Sequence, residues 1–382
     1  MTKPVYLKEL ITHLLTPTSY GDEVLVFDNS ALCILEECQR KFLYAVLLSL
    51  KPPVEKPAIT FGSAMHKFLE FYHAGRPFQE CFEGFVRVAM AENSRIAVKR
   101  EQSLDINLVS EYSMEFGYIL CKKYAETHPL DKEYFTVLKD SNGKPYLETG
   151  FALDLPNGIV IGLIDGLGSI NYNQRKMVVD HKTTKMNLNQ SWLAQFNPNN
   201  QISTYLYAAT EYLGEELTVA LINAVRVKDY QRGSKEEIDR KLFNRIEVSR
   251  SPEQLEQRMR HANFQLLQIR QSIDYGLDGF PQHTQSCITK YGECEYRRLC
   301  LAKNDLMLQL LIEGSYRKQV WRPYDVFANS ETENVIEVDI HNLDEIPGVP
   351  ASIKKPKVDV RDKNKYLTDR GVKIENVGEI KS

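Results

Sequence analysis

The pattern of apolar and polar positions changes along the 382-residue chain. Residues 30–127 are predicted to be mainly helical, with an interruption at Lys51 to Pro57, because proline is avoided in helix interiors. Residues 133–182 are predicted to form a β-meander with turns at 141–143, 156–158 and 171–174. The remaining predicted elements are a helix at 189–213, strands near 217–228 and 242–248, and a helix at 252–275. This order predicts a mixed α/β core.

Both ends of the chain are predicted to differ from this core. Residues 1–20 suggest a short amphipathic helix followed by a polar loop. From Trp321 onward the pattern loosens, and Pro347, Pro350 and Pro356 punctuate a stretch rich in charged and amide residues. We predict that this tail is partly disordered or serves as a partner-binding arm.

Two carboxylates and a lysine lie on neighbouring predicted strands in the middle of the chain. Asp165 lies in the run 159–170, and Asp180 and Lys182 close the run that follows it. Because side chains alternate along a strand, Asp180 and Lys182 point to one side and His181 to the other. Carboxylate oxygens are hard ligands that suit Mg or Mn. A lysine beside them can orient or deprotonate an attacking water. The alternative is that Asp165 lies in a glycine-flanked bend and that Asp180 and Lys182 form an exposed ion pair, which contributes little to stability.

Two helical segments add candidate residues. Phe61 to His66 is predicted to be a turn into a helix, with Ser63 as its cap and His66 on the first turns. Gln201 and Tyr205 are four residues apart in a helical stretch and therefore face the same direction. The alternatives are a core histidine and ordinary helix packing.

Taken in order, these residues resemble the PD-(D/E)XK nucleases of the RecB-type branch. The matching elements are Gly62 to His66, Gly162 to Asp165, Asp180-His181-Lys182 and Gln201 to Tyr205. The resemblance implies a restriction-endonuclease-like α/β core, a central mixed sheet flanked by helices, with a helical N-terminal insertion. It also implies that His66, Asp165, Asp180 and the His181 carbonyl bind the cation. Lys182 would act on the water, with Gln201 and Tyr205 orienting the phosphate or that lysine.

The cysteines suggest a second metal centre. Seven cysteines without a signal peptide indicate a reducing, cytoplasmic setting in which clustered thiols bind metal. Cys287, Cys294 and Cys300 lie close together, and Cys38 supplies a fourth thiol if the termini meet. Thiolates suit an iron-sulfur cluster or zinc, and the loose spacing favours the cluster. The other three are interpreted as small unligated hydrophobes: Cys33, Cys81 and Cys121.

The segment from Ser30 to Tyr44 resembles the opening of the iron-sulfur members of the family, with Gln39 where proline is common. These members include AddB-type nuclease domains and a CRISPR-adaptation nuclease. The resemblance extends over about residues 25–305. It implies a 4Fe-4S cluster forming a clasp, one or two Mg or Mn ions, and cleavage of DNA, often from single-stranded ends.

Three regions are predicted on this basis. They are an N-terminal extension (1–24), an iron-sulfur nuclease domain (25–315) and a C-terminal appendage (316–382). The nuclease domain is predicted to contain a helical part at about 30–127, a catalytic core at about 133–250 and a cluster-binding segment at about 280–305.

Composition restricts the partners of the chain. With 43% apolar residues and a net charge of -3, it can build a sizeable core but has no global attraction to nucleic acid. Local basic patches carry aromatic residues that are predicted to stack on bases: Phe42, Tyr44, Tyr124, Tyr230 and Tyr296. No apolar run approaches the roughly 20 residues of a membrane span. The chain lacks a Walker motif, so an ATP-driven motor would be a separate chain.

The sequence therefore predicts a metal-dependent DNA nuclease, an exonuclease acting on single-stranded DNA or DNA ends in recombination or repair. A separate helicase or recombination protein is the predicted partner. One alternative is a catalytically inactive iron-sulfur subunit that binds DNA or scaffolds such a complex. Another is a nuclease stapled by zinc.

Overall fold

The computed structural model describes residues 15–17, 23–52, 57–100, 112–228, 234–289, 292–320, 323 and 335–339, with backbone alone at 15–17, 23, 91–100 and 335–339. Its strands are β1 Leu15–Pro17, β2 Glu23–Asp28, β3 Leu50–Lys51, β4 Phe135–Val137, β5 Leu147–Leu155, β6 Gly158–Ile170, β7 Lys176–Thr184, β8 Val219–Arg226, β9 Phe243–Ser249, β10 Ile288–Thr289, β11 Gly292–Glu293, β12 Arg317–Lys318 and β13 Val335–Asp339.

The helices vary in length from one turn to six. They are α1 Asn29–Glu37, α2 Gln39–Phe42, α3 Pro57–His73, α4 Phe78–Arg100, α5 Met114–Thr127, α6 Gln190–Leu193, α7 Asn200–Leu213, α8 Lys235–Leu242, α9 Pro252–Asp274, α10 Arg297–Cys300 and α11 Asp305–Ser315. Among the residues described, no helix is long and apolar enough to cross a membrane.

The chain divides into two compact units. The first unit comprises the described parts of 1–53, 150–162 and 256–382. Within it, β1 pairs antiparallel with β2, β2 pairs parallel with the start of β6, and β13 pairs parallel with β5. Aromatic rings join its helices to its strands, since Phe42 contacts both Phe27 and Phe280.

The second unit comprises the described parts of 54–149 and 163–255 and contains the nuclease-like motifs. The end of β6 pairs antiparallel with β4 and β7, β7 pairs parallel with β8, and β8 pairs antiparallel with β9. Helices α3 to α5 cover a buried cluster that includes Phe61, Phe68 and Phe85 together with Val225 of β8. The predicted α/β fold with a mixed sheet flanked by helices is confirmed.

Two helix predictions were wrong in their boundaries. The predicted helix at 189–213 is broken into α6 and α7 at the cis Asn197–Pro198 peptide. Proline cannot donate a helical hydrogen bond, and Asn199 starts a new helix by accepting from the Ile202 amide. Ser63 is not a cap, because α3 begins at Pro57 and the Ser63 hydroxyl donates to the Ile59 carbonyl within the helix.

Other differences lie between and beyond the predicted elements. Helix α8 was not predicted; its capping box joins Ser234 and Glu237. Residues 15–17 form a strand where helix and loop were predicted, and 1–14 lie outside the described residues. In the C-terminal tail, β12 pairs with β3 and β13 extends the sheet. The rest of that prediction, beyond 339, also lies outside the described residues.

Candidate active site and cysteine cluster

Three side chains of the second unit converge on one point. His66 on α3, Glu148 on β5 and Asp165 on β6 each direct a potential ligand atom to within 4.8 Å of the other two. The Nδ1 atom of His66 lies 3.6 Å from Oδ2 of Asp165. An imidazole and two carboxylates are a donor set that suits a divalent cation.

Helix α3 lies close enough to β7 to deliver His66. A Cβ atom on Gly62 would lie 3.0 Å from the Thr183 hydroxyl, so glycine permits this approach. His66 and His73 are seven residues apart and share one helix face. Both rings contact His181, with centroids 6.0 Å and 5.4 Å away respectively.

The predicted Asp-His-Lys strand carries the second half of the site. The Lys182 ammonium lies 2.7 Å from both Asp180 oxygens and donates a hydrogen bond to Oδ1. The Asp180 side chain is fully buried, so this is not the exposed ion pair of the alternative interpretation. The backbone amide of His181 donates to Oδ2 of Asp165 at 2.6 Å, which links β7 to β6.

The electrostatics of the site reflect crowded, buried charges. Burial, and then the Asp165 carboxylate, raise the pKa of Glu148 to about 8. Burial raises the pKa of Asp180 although Lys182 opposes the shift. Burial would also raise the pKa of Asp165, but His66 outweighs it and the pKa is lowered. Burial lowers the pKa of His66, but the Asp165 carboxylate outweighs this effect, so the His66 pKa is raised.

These residues fit a divalent metal. Oδ2 of Asp180 is buried, and the partner that the described residues give it is the Lys182 ammonium, in an ion pair of 2.7 Å. Two neighbouring carboxyls have raised pKa values, and a cation would relieve the cost of ionising them. The predicted role of the His181 carbonyl remains a prediction.

Gln201 and Tyr205 lie together on α7, as their spacing predicted. The Gln201 amide donates to the Tyr205 hydroxyl at 2.8 Å. Burial raises the pKa of Tyr205 well above its ordinary value, and the Asp165 and Asp180 carboxylates raise it further. Tyr205 is therefore a neutral phenol near the carboxylates.

Sequence reasoning missed Glu148. Glu148 has a φ of 45° within β5, a conformation that is uncommon for residues other than glycine. The available signal was a carboxylate in the run Leu147 to Leu155, an otherwise mostly buried strand. No motif spacing connected that carboxylate to Asp165.

The family model described as the PD-(D/E)XK nuclease superfamily matches residues 29–301. The chain belongs to this superfamily. Among solved structures, the nuclease is similar to a candidate exonuclease from Eubacterium rectale, with 11% identity over 86% of this chain and 93% of that one, and a TM-score of 0.39. No curated protein matches it.

The first unit of this superfamily member brings the four predicted cysteines together. Cys38, Cys287, Cys294 and Cys300 line one small cavity. The His283 amide lies 3.4 Å from the Cys38 sulfur, and burial together with the other three thiols raises the pKa of Cys300 to about 11.

Hydrogen bonds hold this cluster closed. Both the Ser286 hydroxyl and the His283 ring approach the Glu37 carbonyl at 2.8 Å. Arg40 donates to the Phe280 carbonyl at 2.6 Å, and the Cys294 amide donates to the Cys287 carbonyl at 2.9 Å. The loop carrying three cysteines is thus tied to the α1–α2 junction at Cys38.

The described geometry is compatible with either metal. A 4Fe-4S cluster and a structural zinc ion are both held by four thiolates, and the four cysteines lining this cavity supply that number.

The aromatic residues predicted to stack on bases are mostly unavailable. Phe42, Tyr44, Tyr124 and Tyr296 are buried, and Tyr230 lies outside the described residues. Tyr44 stacks on Tyr296, so these rings stabilise the core. Among the cysteines interpreted as small hydrophobes, Cys81 and Cys121 are buried, whereas Cys33 is exposed and accepts a hydrogen bond from Asn29.

Proposed function

We propose that the protein is a Mg- or Mn-dependent DNA exonuclease of the RecB-type branch. The observation that carries this proposal is the convergence of His66, Glu148 and Asp165 beside the buried Asp180 and its partner Lys182. A scaffold without catalysis has no need for such a group of ionisable side chains, two of which, Asp165 and Asp180, are buried and therefore costly to maintain.

His66, Glu148, Asp165 and Asp180 would hold the cation, with the His181 carbonyl as a further ligand. When bound, such a cation activates water and neutralises charge at the scissile phosphate. Lys182 would orient the water and stabilise the developing negative charge. Gln201 and Tyr205 would bind a phosphate oxygen through the amide and the phenol.

We propose that Cys38, Cys287, Cys294 and Cys300 hold a 4Fe-4S cluster that acts as a clasp. Their shared cavity supports this assignment, as does the sequence spacing of Cys287, Cys294 and Cys300, which is looser than that of usual zinc sites. The predicted division into an extension, a nuclease domain and an appendage remains part of the proposal. The appendage would bind a separate helicase or recombination protein.

The nuclease proposal is tested with end-labelled single-stranded DNA, linear and circular, in Mg or Mn. We expect metal-dependent loss of the linear substrate only. Lys182→Ala should slow this cleavage strongly, whereas Lys176→Ala, on the same strand but paired with Glu215, should keep the wild-type rate. Cleavage of circular DNA would indicate an endonuclease. Absence of cleavage with wild-type protein, under conditions where it binds DNA, would favour the inactive-subunit alternative.

The cluster proposal is tested on protein purified without oxygen. We expect broad visible absorption with roughly four iron and four sulfide per chain. A colourless protein containing one zinc would refute the cluster and support the zinc-stapled alternative.

A further inference from the structure

A buried polar ladder lies behind the Asp-His-Lys strand. His181 on β7 is opposite Asn223 on β8, and Asn223 is opposite Arg245 on β9. Asn223 is fully buried and His181 is nearly so. The three side chains therefore form a row across the sheet, which ends at the site.

Hydrogen-bond chemistry determines the orientation of Asn223. Arg245 can only donate, and its Nε atom lies 3.0 Å from the Asn223 side-chain oxygen. The Asn223 amide nitrogen therefore faces the other way, 2.9 Å from Nδ1 of His181. Because that nitrogen donates, Nδ1 of His181 must accept, and the ring proton is on Nε2.

Tyr124 closes the second branch of the ladder. Its hydroxyl oxygen lies 2.8 Å from the Asn223 amide nitrogen and 2.9 Å from an Arg245 nitrogen, and both of these groups donate. The Tyr124 hydroxyl must then donate its own proton to Nε2 of His73, 3.1 Å away. His73 in turn stacks on the His181 ring, with an angle of 12° between the planes.

Glu133 anchors the far end. Its carboxylate accepts from both terminal nitrogens of Arg245, one of them at 3.1 Å. The two donated bonds form a bidentate pair that fixes the plane of the guanidinium. Both N–H groups of the Asn223 side chain are bonded, one to Tyr124 and one to His181. Arg245 therefore donates to Asn223, and Asn223 donates to His181.

We propose that Glu133, Arg245 and Asn223 are positioning residues that hold His181 in a single tautomer and orientation. Through His181 they orient Asp165, whose Oδ2 accepts from the His181 backbone amide. The expected effect of these residues on the cleavage rate rests on the proposed nuclease function. Their expected effects on the His181 tautomer and on Mn affinity are independent of that function. Groups that hydrogen-bond a metal ligand directly commonly change metal affinity about 10- to 100-fold when removed. Asn223 acts one residue further from the cation, through His181, so we expect an effect at the lower end of that range.

The test uses Asn223→Asp, which still accepts from Arg245 but can no longer donate to His181. We expect histidine-ring nitrogen spectra to show the His181 proton moving from Nε2 to Nδ1, with a His181→Gln variant assigning the signal. We also expect the apparent dissociation constant for Mn, measured by calorimetry, to rise about 10-fold. The turnover rate at saturating Mn should change far less.

The matched control is Asn263→Asp, the same substitution at an equally buried asparagine of the first unit, which accepts from Asn157. Asn263→Asp should leave both the His181 ring-nitrogen signal and the dissociation constant for Mn unchanged. If Asn223→Asp does not fold, Arg245→Lys replaces it, because lysine cannot bond Asn223 and Glu133 in the same geometry.

Unchanged Mn affinity in a folded variant of the ladder would overturn the proposal, as would a wild-type His181 protonated on Nδ1. If wild-type protein binds Mn and shows the expected tautomer but cleaves no DNA, the proposed nuclease function fails while the positioning role stands.

Discussion

Glu148 should make metal binding depend on pH in a range where an ordinary glutamate is already ionised. Burial and the Asp165 carboxylate raise its pKa from 4.5 to about 8. Below that pH the folded, metal-free protein holds a proton on Glu148. A cation that binds the carboxylate must displace this proton, so affinity falls as the pH falls.

The size of the effect follows from the shift. With a pKa of about 8, roughly nine-tenths of Glu148 is ionised at pH 9 and roughly one-tenth at pH 7. The apparent dissociation constant for Mn should therefore be about tenfold higher at pH 7, which corresponds to about 1.4 kcal/mol. An unshifted glutamate would contribute almost nothing over this interval.

The assay is a calorimetric Mn titration at pH 7 and pH 9, repeated in buffers of different ionisation enthalpy to count released protons. Glu148→Gln cannot ionise, so it should bind more weakly at pH 9 and lose the tenfold dependence. His66 also has a raised pKa, to which Asp165 contributes most and Glu148 less, so the pH dependence left in Glu148→Gln reports the histidine. Glu216→Gln, at an exposed position, is the control. Equal pH dependence in wild type and Glu148→Gln would refute the reasoning.

Three further predictions concern the residues expected from the sequence. Asp165→Ala should abolish cleavage while unfolding remains cooperative, because the carboxylate contacts both His66 and the strand that carries Lys182; residual Mn-dependent cleavage would contradict this. Lys182→Ala should slow cleavage about 10²- to 10³-fold with Mn binding retained. A larger loss of cleavage rate in Gln201→Ala would show that Gln201, not Lys182, acts on the attacking water. Cys38→Ala should lose the visible absorption of the cluster and have a lower melting temperature. A disulfide that closes a loop of this length stabilises the folded state by roughly 4 to 5 kcal/mol, and the cluster is expected to act similarly. Cys121→Ala should keep its iron, and loss of iron there would show that the ligand set is wrong.

The sequence alone determined features that depend on local periodicity. Side chains alternate along any strand, so the separation of Asp180 and Lys182 from His181 followed directly from their positions. The spacing of Gln201 and Tyr205 placed them on one helix face, because the helical repeat is set by the backbone. Motif order was sufficient to predict the α/β class and the superfamily.

Tertiary structure decided which distant residues meet. Glu148 joins His66 only because β5 and α3 both bring a side chain to Asp165 of β6, and no local repeat encodes that approach. Phe42 and Tyr44 appeared available to DNA until packing placed them in the core. The Asn223–Arg245 ladder depends on the register of β7, β8 and β9, which is set by which face of each strand is buried against the rest of the protein. Periodicity is a property of short segments, whereas contacts across many tens of residues depend on how those segments pack.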